Sequence, residues 1–133
     1  PACGRCPLRG HCRAGDPAAL PRRKPRPPVS RASRRHLAII AERRILLEQS
    51  AARQWRGLWT LPDCPHHPPG PAVLEFEYPI TRYRVTLQVY RGPAPPRPGA
   101  RQRWWAFSEL DHCPLPSPHR RAIRMLLDRQ SPA

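Results

Sequence analysis

At 133 residues the chain has room for one domain with a modest core and short appendages; 24 Lys+Arg against 9 Asp+Glu leave a formal charge of +15, whose natural partner is a polyanion. Lys24 is its single lysine, asparagine is absent and proline reaches 21, a pattern of GC-rich coding that inflates arginine, so a merely solvated basic surface stands beside nucleic-acid binding. No apolar run approaches the ~18 residues of a membrane span and no charged start leads into an export segment, which points to a membrane-free, cytosolic protein.

The stretch CGRCPLRGHC opens the chain with Cys3, Cys6 and Cys12. Structural zinc wants four Cys or His ligands and a four-iron cluster usually wants four thiolates, so three make an incomplete set. His11, a distant Cys64 or Cys113, or a ligand upstream of Pro1 are the candidates for the fourth. Zinc through Cys3, Cys6, His11 and Cys12 is the local option, although adjacent His11 and Cys12 do not easily point at one ion. Five cysteines leave one odd, and nothing reads as secretory, which argues against a disulfide framework. A start at Pro1 with Met125 as the lone methionine suggests truncation.

DPAALPRRKPRPPVSRAS, Asp16 to Ser33, is too rich in proline for a helix or a central strand and reads as an extended basic connector. The expected division is 1–14, a cysteine segment; 15–33, the connector; and 34–133, the globular part. HLAIIAE and ILLEQS are runs of strand length around Arg43 and Arg44, a hairpin signal. GLWTLP is a third short strand, and CPHHPPGP a loop in which His66 and His67 read as solvated rather than as a metal pair.

ITRYRVTLQVY, residues 80–90, alternates Tyr83, Val85, Leu87 and Val89 with Arg82, Arg84, Thr86 and Gln88, the mark of a half-buried strand. RWWAF, residues 103–107, reads as another strand. PSPHRRAIRMLLDR predicts a helix capped by Ser117, with Pro118 in its first turn and Ala122, Ile123, Leu126 and Leu127 buried. Trp59 and one of Trp104 and Trp105 are expected in the core; Cys64 and Cys113 read as partly buried thiols. Several strands, a closing helix and no β–α alternation predict a small α+β domain, a small mixed sheet with a C-terminal helix.

Taken in order, CxxCPLxxxC, the basic connector, GLWTLP, ITRYRVTL, W-x-F-S-E-L and LPSPHRRAI resemble the C-terminal portion of adenine DNA glycosylases of the MutY family, over nearly the whole chain. The resemblance implies a Nudix-like fold. It also implies a 4Fe-4S cluster ligated through C-x6-C-x2-C-x5-C, of which Cys3, Cys6 and Cys12 match the last three ligands and the first falls upstream of Pro1. The implied partner is double-stranded DNA holding an 8-oxoguanine:adenine mispair, bound by a monomer that senses the oxidised guanine. Excision carboxylates belong to a helical domain and match nothing here, so the chain by itself is expected to be catalytically silent. The family's lesion-contacting Phe-Ser-His stretch corresponds to Ile80, Thr81 and Arg82, a fixed cation replacing a neutral ring, which makes Thr81, Arg82, Tyr83 and Arg84 the candidate lesion and DNA residues. Two rivals are a basic module that binds nucleic acid by charge alone and a Nudix pyrophosphohydrolase. The latter needs an R-E-x-x-E-E helix for Mg²⁺, where this chain offers Asp63, Glu75 and Glu77.

Overall fold

The computed structural model describes residues 2–19, 25, 27–64 and 67–129, so residues 20–24 and 26 of the connector, and His66, lie outside the described residues. Among the described residues seven strands and one α-helix make an α+β domain, the class the patterning predicts: β1 Ser30–Ala38, β2 Ile40–Ala41, β3 Arg44–Gln49, β4 Trp59–Thr60, β5 Ala72–Ile80, β6 Tyr83–Arg91, β7 Gln102–Ala106 and α1 Ser117–Asp128. In one sheet β6 is central, parallel to β1 and antiparallel to β5. In the other, β3 is central, with β2 and β4 along one edge and β7 along the other.

Tertiary pairing moves several boundaries. Ser30 to Ser33, grouped above with the connector, are the first residues of β1, because β6 offers a register running from Ser30↔Tyr83 to Ala38↔Arg91. A parallel partner far along the chain leaves no local signal. The Arg43–Arg44 hairpin is present one residue earlier: Glu42 and Arg43 form the turn, both at positive φ (47° and 58°), and Arg44 already pairs with Ala41. Two residues at positive φ give the turn the twist of the flanking strands, and an Arg44–Glu42 ion pair spans it. Ile80 ends β5 rather than opening β6.

Both sheets and α1 share one core. Ile45, Leu47, Leu61, Leu87, Val89 and Ile123 are among its fully or almost fully buried members, each removing side-chain surface that stabilises the fold by about 1.5–3 kcal/mol. In α1 the buried residues are His119, Ala122, Ile123 and Leu126, the i, i+3, i+4, i+7 stripe of an amphipathic helix. Leu127, expected inside, is half-buried because it lies one position off that stripe. Pro116 occupies the cap position and Ser117 makes no capping hydrogen bond; Arg120 instead ties the helix back to the Cys113 carbonyl at 2.9 Å. Trp59 and Trp105 pack against the core edge to face, 5.3 Å between centroids, with Arg103 over Trp105. Among the described residues no helix is long and apolar enough to cross a membrane.

Candidate nucleic-acid interface

The register sets four rows side by side on the inner face of the first sheet: Ser30–Tyr83–Ile80, Ala32–Val85–Tyr78, Arg34–Leu87–Phe76 and His36–Val89–Leu74. The last row is wholly buried. Toward the β5–β6 turn the face opens: Arg34 is exposed although it alternates with core positions, and Tyr83 is 39% exposed. The loop between β3 and β4, with its short 3-10 turn Arg53–Trp55, forms the opposing wall. Between them lie a cleft of ≈470 Å³ bounded by Arg34, Gln54, Tyr78, Ile80 and Thr81, one of ≈420 Å³ reaching His36 and Asp63, and one of ≈510 Å³ reaching Phe76 and Arg121. Arg34 and Gln54 are common to the first two, and Tyr78 and Ile80 to the first and third, so the three lie side by side along one depressed stretch of the surface.

Its electrostatics favour an anion. Arg34, Arg53, Arg101 and Arg121 line it, against Glu48 and Asp63 as the carboxylates. Glu48 is taken by Arg101 at 3.4 Å and Gln102 at 3.3 Å. Asp63 faces His36 Nδ1 at 3.2 Å, and that hydrogen bond holds its carboxyl below the usual carboxylate range. Among the described residues no group of three or more His, Cys, Asp or Glu side chains could hold a metal ion.

The Ile80↔Tyr83 pair leaves Thr81 and Arg82 as a two-residue turn at the lip. Thr81 sits at φ 48°, and a β-branched residue there is a real outlier, strained by about 1–3 kcal/mol. Strands paired along their length on both sides hold it in place. Thr81 and Tyr83 line the cleft, and Arg82 reaches the Tyr83 hydroxyl at 3.3 Å, its guanidinium 5.4 Å from the ring centroid. Arg84 points elsewhere: on the outer face it joins Arg31 around Glu77, at 3.9 and 3.7 Å. Of the four sequence candidates, three therefore gather at the cleft lip and Arg84 does not.

Beneath the depression lies an arrangement the sequence reading does not contain. The one N–H of His36 Nδ1 is shared between the Leu61 carbonyl at 3.1 Å and the Asp63 carboxylate at 3.2 Å, and the Leu61 N–H donates to His119 Nδ1 at 3.1 Å. His119 must therefore carry its proton on Nε2, and burial pushes its pKa down to about 3. Trp55 packs edge to face on His119 at 5.0 Å, which seats the cleft loop on the helix. Arg34, Gln54 and Tyr78 were equally unmarked in the sequence. The place of Arg34 and Tyr78 depends on β1 and on β5, and that of Gln54 on the β3–β4 loop, none of which local patterning brings to this face.

The cysteines divide. Cys3, Cys6 and Cys12 lie half-exposed or exposed at two 3-10 turns, Cys3–Arg5 and Arg9–His11, which backbone hydrogen bonds hold. As arranged they do not converge on an ion. Cys64 is partly buried, as expected, whereas Cys113 is wholly buried and its thiol is pushed up to about 11 by desolvation.

No known protein-family profile matches this sequence, and no curated protein matches it either. Solved structures do match. The NUDIX domain of Shewanella oneidensis NrtR, solved in complex with ADP ribose, superposes with a TM-score of 0.57 at 16% identity over 87% of this chain and 94% of its own. The solution structure of the E. coli ORF135 protein gives 0.52 at 16% over 79% and 96%. A bifunctional NMN adenylyltransferase/ADP ribose pyrophosphatase from Francisella tularensis, complexed with AMP and a Mn ion, gives 0.54 at 16% over 80% of this chain and 43% of the larger enzyme. At that identity the likeness is one of fold: the domain is Nudix-like.

Proposed function

We propose that this chain is the lesion-sensing, DNA-binding part of an adenine glycosylase of base-excision repair, recognising 8-oxoguanine opposite adenine without hydrolytic chemistry of its own. The observation that carries the reading is the strained Thr81 turn at the lip of an arginine-lined, carboxylate-poor cleft on a Nudix-like fold. Backbone strain held at an exposed turn is a mark of a contact site. Arg34, Arg53 and Arg82 supply phosphate contacts that position the duplex, while Thr81 and Tyr83 face the altered base. In the same reading Cys3, Cys6 and Cys12 belong to the 4Fe-4S motif of the intact protein.

A second reading, a Nudix pyrophosphohydrolase, draws support from the fold likeness to structures complexed with ADP ribose and with AMP and Mn. Against it stands the segment after β4, whose carboxylate Asp63 is engaged by His36 and, among the described residues, joins no group of three or more His, Cys, Asp or Glu side chains that could hold a metal ion. The deciding experiment is fluorescence anisotropy of the chain on matched duplexes holding 8-oxoguanine:adenine, guanine:adenine or guanine:cytosine across a salt series. Preference for the oxidised pair that survives rising salt is expected. Equal binding with a steep salt slope would leave only a basic module, and release of AMP from ADP ribose with Mg²⁺ or Mn²⁺ would establish the hydrolase instead.

A further inference from the structure

Most polar side chains around the depression are already engaged. Ser50 Oγ accepts from the Ala52 N–H at 3.2 Å, the Thr60 hydroxyl donates to the Glu48 carbonyl at 3.2 Å, and Glu48 and Asp63 hold the partners described above. In the ≈470 Å³ cleft the neutral polar side chains are Gln54, Tyr78, Thr81 and Tyr83, and the last accepts from Arg82. Among the described residues Gln54, Tyr78 and Thr81 make no side-chain hydrogen bond, so three unused polar groups face one space.

They differ in what they can distinguish. A hydroxyl or phenol rotates its proton to suit either a donor or an acceptor, and burial keeps Tyr78 a neutral phenol by raising its pKa. An amide is a rigid plane that offers an acceptor and a donor side by side. Guanine presents N7 as an acceptor, with the O6 carbonyl on one side and only a C–H on the C8 side. Oxidation at C8 puts a hydrogen on N7 and a carbonyl on C8, which turns that edge into an adjacent donor and acceptor. An amide is complementary to this pair, with Oε1 accepting from N7–H while Nε2 donates to the C8 carbonyl; plain guanine allows one of the two bonds. Gln54 is the amide in position: exposed on the Arg53–Trp55 turn, bordering both the Thr81 cleft and the arginine-lined cleft beside it, with its neighbour Trp55 anchored on His119.

We propose that Gln54 is the specificity-determining residue of this site, reading the N7–H and C8 carbonyl edge of an oxidised purine through its amide; this rests on the lesion-sensing function proposed above. The residue is neutral, so its contribution is to discrimination and not to the salt-dependent attraction that the arginines supply.

The test measures anisotropy of the chain and of Gln54→Met, which keeps length and removes both hydrogen-bonding groups. The duplexes carry 8-oxoguanine, 8-bromoguanine or guanine opposite adenine; bromine fills the C8 position without a hydrogen on N7. The wild-type chain is expected to prefer 8-oxoguanine to 8-bromoguanine roughly tenfold, in the range of one bidentate base contact, and Gln54→Met to lose that preference. Salt slope and urea midpoint stay unchanged, which a structural role would not allow, and guanine:adenine affinity falls less than 8-oxoguanine:adenine affinity because plain guanine loses one bond rather than two. A Gln54→Met chain that discriminates as well as wild type overturns the assignment of Gln54 and leaves lesion sensing intact. Absence of preference in the wild-type chain overturns both.

Discussion

His36 on β1 and His119 in the first turn of α1 meet edge to face, with ring centroids 4.7 Å apart, and both contact the backbone of Leu61 between them. Two rings that sit far apart in the chain thus clamp the residue that follows β4. The Nε2 atoms of both are buried and have no protein partner among the described residues. His119 is depressed by burial first and by His36 second, with Asp63 opposing.

This makes the fold acid-sensitive. A histidine whose folded pKa lies near 3, below its ordinary 6.5, stabilises the fold fully above 6.5 and loses that contribution as pH falls toward 3. With one proton taken up on unfolding, the loss runs at about 1.4 kcal/mol per pH unit, or about 2 kcal/mol between pH 6.5 and 5. Asp63 is lowered from 3.8, so its contribution fades below that value and outside this interval. Urea unfolding at pH 7 and pH 5 checks it: His119→Leu should be less stable at pH 7, by about 1–3 kcal/mol for the orphaned Leu61 N–H, yet show a much flatter pH dependence. An undiminished pH dependence in His119→Leu would sink the idea.

Thr81 is the residue at which stability and function oppose each other. Glycine adopts φ 48° without a Cβ clash, so Thr81→Gly should stabilise the domain by about 1 kcal/mol, read as a rise of several degrees in melting temperature. The same change removes a hydroxyl from the cleft and is expected to weaken preference for the oxidised pair. A lower melting temperature would show that the turn is not strained.

Two arginines on opposite faces of one sheet separate charge from place. Arg34→Gln, on the open inner face, should weaken duplex binding about equally for all sequences and reduce the salt slope by about 1. Arg84→Gln, beside Glu77 on the outer face, should leave that slope unchanged. Equal effects from both would mean that DNA is held by diffuse charge.

Thiol accessibility should follow burial. Cys6 and Cys12 are exposed and should react with an aromatic disulfide reagent at pH 8 in the folded chain, whereas Cys113, buried and raised to about 11, should react only after denaturant is added. Prompt labelling of Cys113 in buffer would place it outside the core.

Much of the fold was legible where burial imposes a period. From Tyr83 to Val89 one side must face the core, so alternation alone marks β6, and in α1 the 3.6-residue period picks out Ala122, Ile123 and Leu126. His119 belongs to the same helical stripe, but a histidine there carries no sign of what it will meet. Its acceptor role comes from the Leu61 N–H, supplied by a distant strand. Ser30 to Ser33 read as connector because polar, proline-flanked residues become strand only when β6 offers its free edge. Placement of Thr81, Arg82 and Tyr83 at the cleft lip follows from the hairpin register, in which a shift of one residue would turn each to the other face.

By itself, then, the amino-acid sequence determined the α+β class, the β3, β6, β7 and α1 segments, the basic balance and the shortage of clustered carboxylates, but not β5, since propensity, period and charge are properties of neighbouring residues. Tertiary structure alone decided that Arg34, Gln54, Tyr78 and Thr81 share one cleft and that Arg84 does not. Such a cleft forms where non-local pairing of β1, β5 and β6 meets the loop seated by Trp55, and no local pattern encodes which distant segments will meet.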